Sequence, residues 1–151
     1  MTFSEINVKK VIDDMFLAYR ISGKLNNISI SESFEENLPA IKGDAERLKQ
    51  VFLNIVENSL DAMPSGGNLE INGKALEGAC SVVFIDNGQG IPEDYIEKIK
   101  KPFFTTKPEG MGLGLAVSEK IIKEHKGSMQ FSRAPSGTGT AVTITLPFKD
   151  E

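Results

Sequence analysis

Asn54, Glu57, Asn58 and Asp61 follow one another at offsets of three, four and seven residues from Asn54. On a helix that spacing gathers all four side chains on one face. The stripe is centred roughly 130° from the apolar positions Leu48, Val51, Phe52, Ile55, Ser59 and Ala62 of the same segment. It could be an ordinary solvated face. Such faces, however, usually pair Lys or Arg with Glu, and neither cation occurs between residues 50 and 73. Asn is also a poor helix former, yet two stand mid-helix. Amide and carboxylate oxygens aimed together are hard ligands of the kind Mg²⁺ takes. Both readings stand on the stripe alone.

Two further stretches carry chemistry. Asp86-Asn87-Gly88-Gln89-Gly90-Ile91-Pro92 follows an apolar run. A carboxylate there would be partly buried and could accept a hydrogen bond from a base amine. The glycines would let a flat ligand approach the backbone. Asp, Asn and Gly are equally the residues of a plain strand-to-helix turn, which alone is the commoner case. Gly110, Gly112 and Gly114 precede a helical pattern, where backbone N–H groups bind phosphate well. Lys98, Lys100, Lys101 and Lys107 crowd around them in an acidic chain. The alternative is a surface loop with solvated lysines. No G-x-x-x-x-G-K-[ST] run is present. The three glycines follow a long loop instead of a strand, so they are not the dinucleotide fingerprint. His125, the sole histidine, falls in the last turn of a helix, where a cation suits the dipole, and reads as structural. Cys80 opens a strand and reads as a packing residue.

The elements that must position these groups follow from periodicity. Residues 8–22 read as a helix capped by Asn7 and stopped at Ser22-Gly23. Alternation at Ile28, Ile30 and Phe34 predicts a strand, and 39–43 a connector. Asp44 caps a second helix running to about Ala62. Strands follow near 68–74 and 80–85, then a short helix over 93–100 with Pro92 at its first position. Residues 102–114 read as a mobile loop. A third long helix begins near Leu115 and is ended by Gly127. Strands at 128–134 and 140–146 flank a hairpin turn at 135–139. This mixed order predicts an α+β two-layer sandwich. At 151 residues the chain is one domain, able to bury roughly 70% of its unfolded surface. With 17 basic and 21 acidic residues the net charge is −4, which argues against nucleic acid as partner. One Cys and one His exclude an intrachain disulfide and leave too few soft ligands for structural zinc. No apolar run approaches the ~20 residues of a membrane span. A reduced, cytoplasmic domain without direct membrane contact is expected.

The order of the stretches is more informative than any one of them. Asn54-x-x-Glu57-Asn58-x-x-Asp61-Ala62, then Asp86-x-Gly88-x-Gly90, then Pro102-Phe-Phe-Thr-Thr-Lys107, then Gly110-x-Gly112-x-Gly114, resembles the N, G1, F and G2 boxes of sensor histidine kinases. That is the catalytic ATP-binding domain shared more widely with gyrase, the Hsp90 chaperones and MutL. Asp44-x-x-Arg47-Leu48-x-Gln50-Val51 is similar to the lead-in to the N box, and Gly137-x-Gly139-Thr140 with Leu146-Pro147 to the closing hairpin. Asp61-Ala62-Met63-Pro64 with Thr105-Thr106-Lys107 resembles the nitrogen-regulatory subgroup.

The resemblance implies the Bergerat ATP-binding fold, a mixed sheet of about five strands covered on one face by three helices. It implies ATP and Mg²⁺ between helices two and three, under a lid. Asp86 would accept from the adenine amine, with Gly88, Gly90, Ile91 and Thr140 around the base. Asn58 would ligate Mg²⁺, with Asn54, Asp61 and Ala62 beside it. Thr106, Lys107 and the segment Gly110, Met111, Gly112, Leu113 and Gly114 would hold the phosphates. Glu57 would assist transfer, with Lys107 supplying the charge that many members place at the position of Asp61. Implied partners are a phosphoacceptor helical hairpin of the same kinase and a response regulator. No His-Glu phosphoacceptor box exists in this chain, so transfer would go to a His outside it. A free-standing anti-sigma-factor serine kinase, or a non-catalytic nucleotide sensor, are the competing readings.

Overall fold

A computed structural model describes residues 2–22, 27–88, 111–135 and 139–148. Among these the chain forms seven strands and three helices. They run β1 (Ser4–Ile6), α1 (Val8–Ser22), β2 (Ile28–Phe34), β3 (Ile41–Gly43), α2 (Ala45–Asp61), β4 (Gly67–Leu76), β5 (Ala79–Asp86), α3 (Met111–Glu124), β6 (Ser128–Arg133) and β7 (Thr140–Pro147). Five strands make one mixed sheet in the order β2-β4-β5-β7-β6, and β1 pairs with β3 in a separate ribbon. Only β2 and β4 run parallel; β4–β5, β5–β7 and β7–β6 are antiparallel. This is the expected α+β sandwich. No described helix is long and apolar enough to cross a membrane.

The core lies between the sheet and the helices. On α2 the buried residues are Leu48, Val51, Phe52, Ile55, Val56 and Ser59, the 3.6-residue stripe that one buried helix face requires. Phe52 lies 5.7 Å, ring to ring, from Phe84 on β5. Ile12, Met15 and Phe16 of α1 and Leu115, Ile121 and Ile122 of α3 complete the layer. Cys80 is buried on β5, and burial pushes its thiol up to about 11. A thiol so protonated and enclosed is a poor nucleophile. Folded protein should therefore react with a disulfide reagent far more slowly than urea-unfolded protein at pH 8. Equal rates would contradict its place in the core.

Asp44 caps α2 as expected, with φ −103° and ψ 108° and its Oδ1 accepting from the Arg47 amide at 3.1 Å. The Thr2 amide donates to the other oxygen at 2.9 Å. These backbone donors, Thr2 first, hold the Asp44 carboxyl below its usual range. His125 joins the same corner. Its Nε2 accepts from the Asp44 amide at 3.0 Å, its Nδ1 lies 2.8 Å from the Ile121 carbonyl, and its ring stacks on Phe3 at 4.8 Å. A ring nitrogen that accepts from an amide carries no proton, so Nδ1 is the donor and the imidazole is neutral. The residue is structural as expected. Its role is a hydrogen-bonded clamp between α2 and α3, and the expected cation at the helix dipole is replaced by this neutral ring.

Four sequence expectations need correction. The stretch 39–43 ends in a strand, β3, which pairs with β1 around Glu5–Lys42. Three-residue strands leave too little alternation to detect. Helix α3 begins at Met111, so Met111–Gly114 form its first turn and do not belong to the loop read over 102–114. Glycine's helix penalty of about 1 kcal/mol per residue is outweighed by the buried face of Leu115, Ser118, Ile121 and Ile122. Ala62 is the C-cap of α2, half-buried, and Val56 takes its place in the core stripe. At the end of α3 the left-handed residue is Lys126, φ +62°. Gly127 is required for another reason: a Cβ there would overlap the Thr145 carbonyl of β7. The helix expected over 93–100 and the rest of the 102–114 loop lie outside the described residues.

Candidate nucleotide-binding site

Asp86 ends β5, a strand whose apolar side chains draw it through the middle of the sheet. The residue is 5% exposed. Oδ1 accepts from the Gly88 amide at 2.9 Å and the Thr140 amide at 3.2 Å, and the Ser59 hydroxyl also donates to the carboxylate. Burial raises the Asp86 carboxyl above its usual range, and the donors from Gly88, Ser59 and Thr140 oppose that rise. The surrounding backbone is packed without room for a methyl group. A Cβ on Gly88 would come within 2.5 Å of the Ala62 carbonyl oxygen, and one on Gly139 (φ +93°) would overlap the Asp86 carbonyl. Asn87 Oδ1 accepts from the Asn68 amide at 2.9 Å, tying the same turn to β4. The C-terminal end of α2, the turn after β5 and the start of β7 thus converge on one buried acid.

The polar face of α2 is held from both neighbouring helices. Asn54 Nδ2 donates to Ser118 Oγ of α3 at 2.9 Å, and Tyr19 of α1 donates its hydroxyl to Glu57 Oε1 at 2.6 Å. Asn58 is half-buried and its amide has no hydrogen-bonding partner among the described residues. Asp61 is exposed at the last turn. Two cross-helix contacts fix how α2 meets α3: Asp44 with His125, and Asn54 with Ser118. One residue number rises as the other falls, so the helices run antiparallel. The N-terminal turn of α3, Met111–Gly114, therefore lies level with Asn58 and Asp61. A helix N-terminus beside half-buried amide oxygens suits an anion that carries a divalent cation. Among the described residues no three His, Cys, Asp or Glu side chains form a metal-binding group. A cation held by Asn58 would need its other ligands from phosphate and water, as Mg²⁺ commonly does.

Of the sequence-predicted residues, Asp86, Gly88, Thr140 and Ala62 form the buried end of this site. Asn54, Glu57, Asn58 and Asp61 lie on the polar face of α2, and Met111, Gly112, Leu113 and Gly114 make up the first turn of α3. Gly90, Ile91, Thr106, Lys107 and Gly110 lie outside the described residues. Three residues were missed. Ser59 and Ser118 stood in the apolar stripes of their helices and read as core; each is in fact the hydroxyl that ties a site side chain. A small polar residue on an apolar stripe was the available signal, since a buried hydroxyl needs a partner. Tyr19 likewise read as part of α1's apolar face.

A mixed sheet under three helices, with a buried acid at a strand end and a helix N-terminus opposite amide oxygens, is the architecture of a nucleotide-binding α+β domain. The chain belongs to the family described as histidine kinase-, DNA gyrase B- and HSP90-like ATPase, whose model matches residues 43–150. It is 39% identical over 144 residues to sporulation kinase A of Bacillus subtilis (strain 168), covering 95% of this chain and 24% of that protein. It is 31% identical over 150 residues to the signal transduction histidine-protein kinase AtoS of Escherichia coli (strain K12), covering 99% of this chain and 24% of that one. The chain thus spans about a quarter of the length of these relatives. Its fold superposes on the catalytic domain of histidine kinase ThkA with a TM-score of 0.88 at 29% identity, covering 99% of this chain and all of that one. A second ThkA structure, in complex with the response regulator protein TrrA, matches with a TM-score of 0.83 at 28% identity, covering 96% of this chain and 41% of that one.

Proposed function

We propose that this chain is the ATP-binding catalytic domain of a sensor histidine kinase, presenting the γ-phosphoryl group of ATP to a His on a separate helical hairpin, for onward transfer to a response regulator. The observation that carries the reading is the convergence of Ser59, Gly88 and Thr140 on the buried carboxylate of Asp86, one helix face away from Asn58 and the N-terminal turn of α3. Asp86 accepts a hydrogen bond from the adenine amine, and Gly88 and Thr140 border the base. Asn58 offers its amide oxygen to Mg²⁺, and the amides of Met111–Gly114 receive the phosphates. Bound Mg-ATP supplies a transferable phosphoryl group with its charge partly neutralised. Glu57 accepts a hydrogen bond from the acceptor imidazole and leaves its other nitrogen turned to the phosphorus. Catalysis is then mainly positioning. A cytoplasmic location suits these partners.

Incubating the chain with labelled Mg-ATP and a recombinant two-helix hairpin carrying one phosphoacceptor His tests this. Acid-labile label on the hairpin is expected; ATP bound without transfer would favour a nucleotide sensor, and label on a Ser of a supplied antagonist the serine-kinase reading. Asn58→Ala should abolish the enhancement of nucleotide binding by Mg²⁺ while leaving most of the metal-free affinity, because the adenine end is built from other residues. Calorimetry with and without the metal measures it, and a surviving enhancement would show Asn58 to be a surface residue only.

A further inference from the structure

Glu57 lies on the exposed face of α2, where a carboxylate on a long side chain would ordinarily sample many rotamers. Here it does not have that freedom. Tyr19 is buried to 4% exposure, its ring packed 6.4 Å from that of Phe16. Its hydroxyl donates to Glu57 Oε1 at 2.6 Å, a length typical of a charge-assisted hydrogen bond. Asn54, on the same face, is bound to α3. At 100° per residue Glu57 lies about 60° from Asn54 on the side of α1, and Asn58 about 40° on the side of α3. One flank of the stripe is thus anchored to α1 and its middle to α3, and Asn58 stands on the α3 side of both anchors.

Resting on the kinase reading above, we infer that Tyr19 is a positioning residue for Glu57: its buried ring and donated hydroxyl fix the carboxylate beside Asn58, at the place the acceptor imidazole must occupy. In the transfer step the lone pair of one imidazole nitrogen forms the P–N bond as the bond from the γ-phosphorus to its bridging oxygen breaks. ADP departs with that electron pair. The imidazole becomes positively charged, and the fixed carboxylate of Glu57 holds its remaining N–H. A carboxylate already oriented loses less on reaching that arrangement than one that must be ordered at the moment of reaction. Burial, helped by the hydrogen bond to the Glu57 carboxylate, raises the Tyr19 phenol and keeps it protonated and donating well beyond neutral pH.

Tyr19→Phe removes the hydroxyl and keeps the ring, so the core packing survives. In the nucleotide-free protein the side-chain carboxyl ¹³C resonance of Glu57, identified by its loss in Glu57→Gln, should move when Tyr19 is replaced. Transfer to the His-bearing hairpin should slow by about tenfold, with the calorimetric affinity for a non-hydrolysable ATP analogue unchanged. In the Glu57→Gln background Tyr19→Phe should slow transfer no further, because both changes break one interaction. An unmoved resonance, or equal slowing in both backgrounds, or slowing that tracks a fall in melting temperature, would overturn the inference. Wild-type protein that binds the analogue but never labels the hairpin would overturn the kinase reading instead, and the carboxyl resonance would still decide whether Tyr19 holds Glu57.

Discussion

Asp86→Asn should cost nucleotide affinity and leave the fold as stable as before, or more so. The two effects share one cause. In the proposed site the buried carboxylate would accept from the adenine amine, whereas an amide can present a donor there. Loss of a hydrogen bond to a charged group costs roughly 1.5–3 kcal/mol, or about 10- to 150-fold in affinity. In the nucleotide-free protein the same charge is a burden. Its carboxyl is raised by burial above the unfolded value, so the folded state favours the protonated form. The stability this contributes is complete below the unfolded pKa and is lost as pH rises through the folded one. Above the folded pKa the ionised acid is past that loss, and a neutral Asn does not carry it. The Asn oxygen can still accept from Gly88 and Thr140. Calorimetry should show the weakened binding, and thermal melting an unchanged or higher midpoint. In the native protein, acidification through the raised pKa should weaken binding, as Asp86 becomes a neutral acid. Unchanged affinity in a folded variant would remove Asp86 from the site.

Gly139→Ala should damage both stability and binding. The residue sits at φ +93°, and its Cβ would overlap the Asp86 carbonyl, with the Asn87 Cα also within 2.8 Å. Neither obstacle is a flexible side chain. The left-handed backbone alone costs about 1–2 kcal/mol for a residue with a Cβ, and the clash adds to it. A total of roughly 2 kcal/mol corresponds to about 4–8 °C in melting temperature at this size. To escape, the start of β7 must move away from β5, and that carries the Thr140 amide off Asp86 Oδ1. Nucleotide affinity should therefore fall even where the protein remains folded. A melting temperature and affinity equal to wild type would contradict the close packing of the start of β7 on the end of β5.

Long periodic segments were legible from residue order alone. Helix α2 was readable because Asp44, the apolar stripe and the polar face all agree, and β5 because six of its eight residues are apolar. Asp86 and Asn58 became site candidates through the order of the motifs and the family they resemble, since each stretch alone left the plain reading open. What stayed hidden depends on contacts between distant parts. Strands β1 and β3 exist because Ser4 and Gly43 meet across most of the first helix and strand, and no local pattern of three residues records that. The parallel partnership of β2 with β4 is set by the α2 crossover. Ser59, Ser118 and Tyr19 were hidden by their very positions, since an apolar stripe says only that a side chain is enclosed. Which polar atom it then satisfies depends on a neighbour from another element.

The strand order also decides what gives way first when the domain loosens. β2 and β6 are the margins of the sheet, and β2 has no fully buried residue. β5 is the middle strand, with β7 immediately beside it. Local opening is easiest where backbone hydrogen bonds face water and few apolar contacts resist. Fraying thus begins a strand or more away from Asp86 and Thr140, which terminate the two strands with the deepest protection. The Asp86 end of the proposed site is fastened to the part of the molecule that opens last, so moderate heat or a damaging substitution at the rim should wear down the borders well before it disturbs that end.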